Sequence, residues 1–338
     1  MHEIEELRLK QSLPLDLKIK MTERRIREFY QYFGGQVYVS CSGGKDSLVL
    51  QHIARKMYPS MKSVFADTGL EYPEVQAVIK TIENIDIIYP VMYNRKKRKY
   101  ERVTFKQVIE KYGFPLISKE QAQFIWQYRH AKSEKTKATR LNGNKWGRGK
   151  ISDKWQFLIN APFEISDKCC EAMKKMPFHL YEKETGLHPI LAVMAEESNQ
   201  RTSQWLKNGC NTFDDSKRQT SKPMSFWTEQ DVLEYIVIND LDIAECYGNV
   251  VGISDKLVFG RGTMKKIMQK SPNTWKKRVV LKTTKCDRTG CMFCMFGCHL
   301  EKEPNRFQRM KETHPKQYNF CIYKLGLGKV LDYINVPY

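Results

Sequence analysis

Short apolar runs recur along the first ninety residues of the chain and alternate with stretches of helical spacing. Three of these runs predict buried strands, at residues 37–39, 63–66 and 85–89. Apolar positions at helical spacing predict a helix before the first strand, at residues 26–33, and helices between the strands, at residues 48–54 and 74–82. A further run at 189–194 predicts a strand that rejoins the same sheet. This alternation predicts an α/β fold with a doubly wound, mostly parallel sheet.

The pattern changes between residues 95 and 153, where the periodicity weakens and Gly143, Gly147 and Gly149 interrupt it. We expect a basic insertion or a mobile basic segment here. Of the 57 Lys and Arg residues in the 338-residue chain, 18 fall between residues 94 and 154, against 5 of the 38 Asp and Glu. The segment therefore carries +13 of the formal net charge of +19.

Aromatic residues are interspersed among these cations, at Tyr100, Phe105, Tyr112, Phe124, Trp126, Tyr128 and Trp146. Bases stack on aromatic rings while Lys and Arg neutralise phosphates, so the composition is typical of nucleic-acid binding. The segment 94–154 is therefore predicted to contact nucleic acid. The alternative is a solvated basic loop.

The hexapeptide Ser42-Gly43-Gly44-Lys45-Asp46-Ser47 lies between the first predicted strand and the helix that follows it. Glycines allow the backbone to approach phosphate oxygens closely, and the N-terminus of a helix favours an anion. Lys45 is expected to neutralise phosphate, Ser42 and Ser47 to donate hydrogen bonds, and Asp46 to hold Mg²⁺. The GxxxxGK[ST] spacing of a Walker loop is absent.

This hexapeptide resembles the pyrophosphate loop (PP-loop) of the N-type ATP pyrophosphatase and phosphoadenosine phosphosulfate (PAPS) reductase superfamily. Asp67-Thr68-Gly69 is similar to the second-strand motif of that group, and Glu197-Ser198-Asn199-Gln200-Arg201 resembles its ESxxR segment. The resemblance implies a site for ATP, or for PAPS or its analogue adenosine phosphosulfate (APS), at the carboxyl ends of the strands. The nucleotide contacts that it implies are Ser40, Ser42, Gly43, Gly44, Lys45, Asp46, Ser47, Asp67, Thr68, Gly69, Glu197, Ser198 and Arg201.

Two departures from the reductases bear on the activity. Sulfonucleotide reductases share a C-terminal Glu-Cys-Gly-x-His motif, which is absent around Cys321, and their loop usually lacks a lysine at the position of Lys45. A loop with lysine is more similar to enzymes that cleave ATP to AMP and pyrophosphate. These include tRNA thiolases and the sulfur-transfer subunit of DNA phosphorothioation systems. We therefore expect an ATP-cleaving enzyme rather than a reductase.

No apolar run approaches the ~18 residues of a membrane span, so we expect a cytoplasmic protein with no membrane contact. In that reducing compartment, ten cysteines favour metal binding or catalysis over disulfides. Cys286, Cys291, Cys294 and Cys298 fall within thirteen residues, and Cys169 and Cys170 are adjacent. Thiolates at such spacing bind an iron–sulfur cluster or zinc. The prediction is a [4Fe–4S] cluster, with zinc as the alternative.

Two ligand sets follow from resemblance. Cys169, Cys170, Cys291 and Cys294 match the cluster ligands of the iron–sulfur sulfonucleotide reductases. Cys286, Cys291, Cys294 and Cys298 resemble the C-terminal cluster of the phosphorothioation subunit. The flanking Lys285, Arg288 and Thr289 are expected to offset the negative charge of such a cluster.

The leading hypothesis is an ATP-dependent sulfur transferase that adenylates an acceptor, plausibly nucleic acid, and then replaces AMP with sulfur. Its expected catalytic residues are Lys45, Asp46, Arg201 and, as a persulfide carrier, Cys298. Reduction of PAPS or APS is a second hypothesis. A third is a non-catalytic nucleotide-sensing or DNA-binding subunit of a larger assembly. A sulfur-donor protein or a ParB-like protein is the expected protein partner.

The predicted domain organisation follows these motifs. Residues 1–94 form an N-terminal helix and the first part of the nucleotide-binding core, and residues 95–180 form the basic insertion with the Cys-Cys pair. Residues 181–280 form the second part of the core. Residues 281–338 form a Cys-rich cluster segment and tail.

Overall fold

The computed structural model describes residues 3–255, 257–271 and 274–338. Its α-helices are α1 (Glu3–Ser12), α2 (Leu15–Tyr32), α3 (Lys45–Met57), α4 (Pro73–Lys80), α5 (Phe105–Tyr112), α6 (Lys119–His130), α7 (Glu134–Asn142), α8 (Met176–Thr185), α9 (Asn199–Asn208), α10 (Glu229–Ile238), α11 (Arg261–Lys270), α12 (Arg306–Thr313), α13 (Pro315–Asn319) and α14 (Leu327–Tyr333). In the part of the chain that the structure describes, no helix is long and apolar enough to cross a membrane.

The strands are β1 (Val37–Ser40), β2 (Lys62–Ala66), β3 (Ile85–Ile88), β4 (Val91–Asn94), β5 (Lys99–Arg102), β6 (Leu116–Ile117), β7 (His188–Leu191), β8 (Asn211–Thr212), β9 (Thr220–Ser221), β10 (Val250–Ser254), β11 (Leu257–Phe259), β12 (Val280–Thr283) and β13 (Met295–Phe296). Their contacts divide the chain into two compact units. We call the first the sheet unit (the described residues within Met1–Ala66, Tyr72–Ile88 and His179–Thr289) and the second the cysteine unit (Asp67–Glu71, Tyr89–Phe178 and Gly290–Tyr338). The domain boundaries predicted from the sequence stay a prediction.

The sheet unit is built on a six-stranded sheet in the order β3-β2-β1-β7-β9-β8. Neighbouring strands run parallel from β3 to β9, and β8 alone among these six is antiparallel to its neighbour. The predicted α/β fold with a mostly parallel sheet is therefore confirmed. The strand order reverses between β1 and β7, and ligands of open α/β sheets bind outside the carboxyl ends of strands at such a point.

Apolar residues of α2, β1, α3, β7 and α10 form the core of the sheet unit. Because β1 is covered on both faces, Tyr38 and Val39 are fully buried, which accounts for a continuous rather than an alternating apolar run. The α10 helix begins with a capping box in which the Thr228 hydroxyl accepts from the backbone of Asp231 and the Asp231 carboxylate accepts from that of Thr228.

Asp231 also belongs to a buried charge network. Its carboxylate accepts hydrogen bonds from Lys18 Nζ at 2.5 Å and from Lys276 Nζ at 2.9 Å. Lys18 and Asp231 side chains are each 1% exposed, so this pair is shielded from solvent. Removing one member of such a pair leaves an uncompensated buried charge, which is strongly destabilising.

The segment 95–153 contains the helices α5, α6 and α7 and the strands β5 and β6. Its description as a basic insertion stays a prediction. Serine and threonine caps begin its helices: Thr104 caps α5, Ser118 caps α6 and Ser133 caps α7. Arg129 of α6 donates to the carbonyl oxygens of Leu158, Ile159, Ala161 and Phe163, and so fixes residues 158–163 of the cysteine unit. The weak periodicity reflects helices with few buried residues, of which α7 has none.

Candidate functional site

The phosphate loop (residues 42–47) joins β1 to α3 in the sheet unit. Gly43 has φ +71°, and a Cβ added there would lie 2.6 Å from the Val75 side chain, so this position requires glycine. The Ser47 hydroxyl donates to the Gly44 carbonyl at 2.8 Å and accepts from the Ser42 amide at 3.1 Å. These bonds hold the loop in a tight turn at the carboxyl end of β1.

Lys45 is the first residue of α3 and is only 1% exposed. Its Nζ donates to the Asp287 carbonyl oxygen at 2.7 Å and lies 3.0 Å from Glu229 Oε1. Its backbone amide donates to the Tyr247 hydroxyl at 3.2 Å, and that hydroxyl is hydrogen-bonded to Thr289 at 2.6 Å. The lysine is therefore fixed by residues from three distant parts of the sequence.

A cavity of about 300 Å³ lies beside this loop, within the sheet unit. Three cationic side chains line it: Lys45, Arg201 and Arg288. Burial and the neighbouring Arg288 lower the pKa of Arg201. Ser40, Ser42, Gly44, Asp46, Ser47, Leu191, Ala192, Val193, Glu197, Tyr247 and Thr289 complete the lining. Clustered guanidinium and ammonium groups beside a glycine-rich helix N-terminus form a site suited to phosphate.

The carboxylates at this cavity have unequal surroundings. Glu197 forms an ion pair with Arg201 and lies 3.8 Å from Arg288. Asp46 Oδ1 is buried and has no hydrogen-bond partner among the described residues, and Lys45 Nζ lies 3.9 Å from it. Burial raises the pKa of Asp46. An orphaned carboxylate oxygen at a phosphate site fits a role in holding Mg²⁺.

The structure thus gathers most of the predicted phosphate-binding residues around one cavity. Ser198 differs from the others because its hydroxyl caps α9, accepting from the Arg201 amide at 3.3 Å. Sequence reasoning missed Tyr247, and it assigned Arg288 and Thr289 to the metal cluster although both line this cavity. No spacing rule could have found Tyr247, because it meets Lys45 across about two hundred residues of sequence.

Asp67, Thr68 and Gly69 belong to the cysteine unit. Asp67 Oδ1 accepts from the Gly69 amide at 3.0 Å, and Glu71 accepts from both the amide and the hydroxyl of Thr68. The three residues line a cavity of about 430 Å³ in that unit, together with Leu70, Pro90, Arg102, Val103, Thr104, Phe105, Lys106, Phe293, Phe320 and Leu325. Phenyl rings and cations together suit a planar anionic ligand such as a nucleotide.

Four of the predicted metal ligands influence one another in the cysteine unit. Burial first, and then Cys170, Cys291 and Cys294, raise the pKa of the Cys169 thiol. Burial raises the pKa of Cys291 to about 11. All ten cysteines are free thiols. Among residues 3–255, 257–271 and 274–338, no group of three or more His, Cys, Asp or Glu side chains is gathered closely enough to hold a metal ion.

The other predicted ligands have different neighbours. Cys298 is 1% exposed in the cysteine unit, and burial raises its pKa to about 11. Cys286 belongs to the sheet unit, where its thiol is hydrogen-bonded to that of Cys246. Cys169, Cys170, Cys291 and Cys294 all belong to the cysteine unit. Both ligand sets and the identity of the metal stay predictions.

Comparison with known proteins agrees with this geometry. Residues 36–113, which include the phosphate loop and the Asp67 motif, match the phosphoadenosine phosphosulfate reductase domain family. This part of the chain is therefore similar to the PAPS reductase family. An adenosine 5'-phosphosulfate reductase from Geobacillus kaustophilus is 28% identical over 111 residues. That match spans 33% of this chain and 45% of the relative, so less than half of the relative's length is covered.

A solved structure is also similar to this chain. It is the phosphate complex of phosphoadenylyl-sulfate (PAPS) reductase from Candida auris, which is 15% identical. The similarity covers 68% of this chain and 88% of that chain, with a TM-score of 0.37.

Proposed function

We propose that this PP-loop protein binds ATP at the phosphate loop and uses it to adenylate an acceptor, to which sulfur is then transferred. One observation carries the proposal: Lys45, Arg201 and Arg288 surround a single cavity beside a glycine-rich loop at the sheet's reversal point. Three cations at one cavity match the charge of a triphosphate. A buried lysine in the loop supports ATP cleavage to AMP and pyrophosphate.

The first step is attack of an acceptor oxygen on the α-phosphorus of ATP. The bond to the β,γ-pyrophosphate breaks, pyrophosphate leaves, and the acceptor oxygen carries AMP. Lys45 and Arg201 offset the negative charge that develops on the phosphates, which is how proteins mainly accelerate phosphoryl chemistry. Asp46 would hold Mg²⁺, which neutralises phosphate charge when bound. In the second step a sulfur nucleophile displaces AMP.

The sulfur-handling site is proposed in the cysteine unit. Cys169, Cys170, Cys291 and Cys294 would hold a [4Fe–4S] cluster, with zinc as the alternative metal. Lys174, which hydrogen-bonds to the Cys291 thiol, would offset part of the thiolate charge. Such a cluster supplies a bound sulfur when present. Cys298 as a persulfide carrier would need deprotonation, because its pKa of about 11 keeps it a thiol at neutral pH.

Nucleic acid is the proposed acceptor, contacted through residues 94–154. The β4–β5 hairpin supports this proposal, because Arg95, Lys96, Lys97, Arg98 and Lys99 are all exposed at its turn. Tyr93 and Tyr100, packed edge to face across the hairpin, are 45% and 39% exposed and available for stacking.

Pyrophosphate release from ATP, with and without nucleic acid, tests the proposal. Lys45→Ala should lower the rate by at least ~100-fold, as removal of one charge-stabilising donor does in other enzymes. The fold should survive, because Glu229, whose side chain is 29% exposed, can be solvated once the lysine is gone. The matched control is Lys56→Ala on the exposed face of α3, which should leave the rate unchanged. Unchanged pyrophosphate release in Lys45→Ala would contradict the assignment of the loop.

Sulfonucleotide reduction is a second candidate, favoured by the similarity to an adenosine 5'-phosphosulfate reductase. Sulfite release from APS or PAPS in the presence of a thiol reductant, without pyrophosphate release from ATP, would select it. Tight ATP binding without turnover would instead favour a nucleotide-sensing subunit of an assembly with a sulfur-donor or ParB-like partner.

A further inference from the structure

Two cysteines of the sheet unit, Cys246 and Cys286, lie against each other. The Cys286 amide donates to the Cys246 carbonyl at 3.3 Å, and the Lys285 amide donates to the Tyr247 carbonyl at 3.1 Å. The two thiols are hydrogen-bonded to each other, and Cys286 packs on the apolar cluster that contains Cys246 and Tyr247. A disulfide requires Cα atoms about 4.4–6.8 Å apart, and a direct backbone hydrogen bond keeps these two residues adjacent.

Each of these cysteines immediately precedes a residue that fixes Lys45. Tyr247, after Cys246, accepts the hydrogen bond from the Lys45 amide. Asp287, after Cys286, accepts the hydrogen bond from Lys45 Nζ at 2.7 Å. A change in the spacing of the two sulfur atoms is therefore transmitted through one peptide unit on each side to the phosphate loop.

The two thiols differ in access to solvent. Cys286 is partly exposed and Cys246 is 7% exposed. An oxidant from solvent thus meets Cys286 first, with a resolving thiol already in contact.

We propose that Cys246 and Cys286 form a redox-modification site, at which a peroxide converts the thiol pair into a disulfide that weakens nucleotide binding at the phosphate loop. The Cys286 thiolate attacks one peroxide oxygen, the O–O bond breaks, and Cys286 becomes a sulfenic acid. The Cys246 sulfur then attacks the Cys286 sulfur, and the S–O bond breaks with loss of water. In sum, two thiols and one hydrogen peroxide give one disulfide and two waters, and a dithiol reductant reverses the change.

The disulfide acts on the loop because a covalent bond draws the sulfur atoms closer than a hydrogen bond holds them. The Tyr247 hydroxyl and the Asp287 carbonyl then move relative to Lys45. Lys45 is then displaced from the position in which it contacts phosphate, and loss of one such charge-assisted hydrogen bond should lower ATP affinity by at least ~10-fold. This effect on ATP rests on the proposed function, whereas formation of the disulfide does not.

Peptide mapping of the full chain after hydrogen peroxide treatment tests the pair directly. Under non-reducing conditions we expect a peptide pair joined through Cys246 and Cys286, lighter by two hydrogens and separated by dithiothreitol. In Cys246→Ser, Cys286 should instead be trapped as a sulfenic acid that dimedone labels. Cys210→Ser, the control in the same unit, should keep the cross-link. Oxidation of wild-type Cys286 without a link to Cys246 would overturn the proposal, and this arm requires no variant to fold.

ATP affinity of the reduced and oxidised protein tests the coupling. Wild type should bind ATP at least ~10-fold more weakly after peroxide treatment and should recover its affinity with dithiothreitol. Cys246→Ser should show no cross-link that dithiothreitol reverses and no such loss and recovery of ATP affinity. A cross-linked protein with unchanged ATP affinity would overturn the coupling to the loop. Failure of the reduced protein to bind ATP would contradict the proposed function instead, and the peptide map would still decide whether the pair is a redox site.

Discussion

Neutralising the basic turn of the β4–β5 hairpin tests whether the cysteine unit contacts nucleic acid. Residues 95–98 form the turn between the paired Asn94 and Lys99, and all five cations of residues 95–99 are exposed. The Asn94 side chain accepts from the amides of Lys96 and Lys97 and so keeps the turn in place. Because the turn is held by Asn94, replacing the five cations with Gln should remove charge without unfolding the hairpin.

The expected magnitude follows from the pairing of these cations. Lys97 Nζ lies 2.8 Å from Glu101 Oε1, so this charge is already partly compensated within the protein. Each phosphate contact on duplex DNA contributes about 0.9 to the slope of log K against log salt concentration. Four available cations predict that the slope falls by about 3.6, and release of Lys97 from Glu101 raises the change to about 4.5.

Fluorescence anisotropy with a labelled duplex at several salt concentrations measures both the affinity and this slope. The matched control replaces five exposed cations of the sheet unit with Gln: Lys20, Arg27, Lys80, Lys207 and Lys266. The control lowers the net charge equally but should change the slope far less. If the hairpin and control variants have equal slopes, the reasoning is refuted, because the hairpin then contributes only general charge. ATP binding should be unchanged in both.

Further predictions concern the metal ligands, the lysine site and the buried charge network. Cys291→Ser and Cys294→Ser should each abolish metal binding, measured by iron and zinc analysis after anaerobic purification. Cys169→Ser or Cys170→Ser should also abolish it if the first ligand set binds the metal. Cys286→Ser or Cys298→Ser should do so if the second set binds it. A colourless protein with one zinc and no iron would overturn the cluster. Glu229→Gln should tighten ATP binding several-fold in calorimetry, because it removes a negative charge 3.0 Å from Lys45 Nζ; weaker binding would show that Glu229 positions the lysine. Asp231→Ala should lower the free energy of unfolding by about 3–5 kcal/mol in urea titrations, and Asp240→Ala, on the surface, far less. Burial alone would raise the pKa of Asp231, but Lys18 and Lys276 hold this pKa below its usual value. The stabilisation by Asp231 is therefore present above about pH 4 and is lost as the pH falls through the lowered pKa. A loss of stability on the alkaline side instead would contradict this prediction.

The sheet could be predicted from the sequence because its central strands β1 and β2 are mostly buried. A continuous apolar run such as residues 37–39 is typical of a parallel strand covered on both faces. The helices of residues 95–153 were not predicted from the sequence, because few of their residues are buried and their apolar periodicity is weak. Their usable signals are the N-terminal caps, such as Thr104 with Gln107 three residues later, and these precede helices even where apolar periodicity is weak.

The phosphate loop was predictable because its residues are contiguous, and a contiguous motif is visible without the fold. The residues that complete the site are not contiguous. Tyr247 and Asp287 reach Lys45 only because the chain returns to the carboxyl end of β1 after about two hundred residues. Arg288 lies three residues before Cys291, so its position in the sequence suggested the cluster, whereas the fold assigns it to the phosphate cavity.

The chemical environments of the thiols separate two kinds of cysteine that composition alone treats as equal. Burial raises the pKa values of Cys41, Cys169, Cys291, Cys294, Cys298 and Cys321, which keeps them protonated unless a metal displaces the proton. Among the shifted thiols of the described residues, Cys286 alone has a lowered pKa, and its neighbour Asp287 accepts a hydrogen bond from Lys45 Nζ. A thiolate-selective reagent should therefore label Cys286 first in the metal-free protein, and metal loading should leave that labelling unchanged. Protection of Cys286 by metal would instead place it among the cluster ligands and remove it from the redox pair.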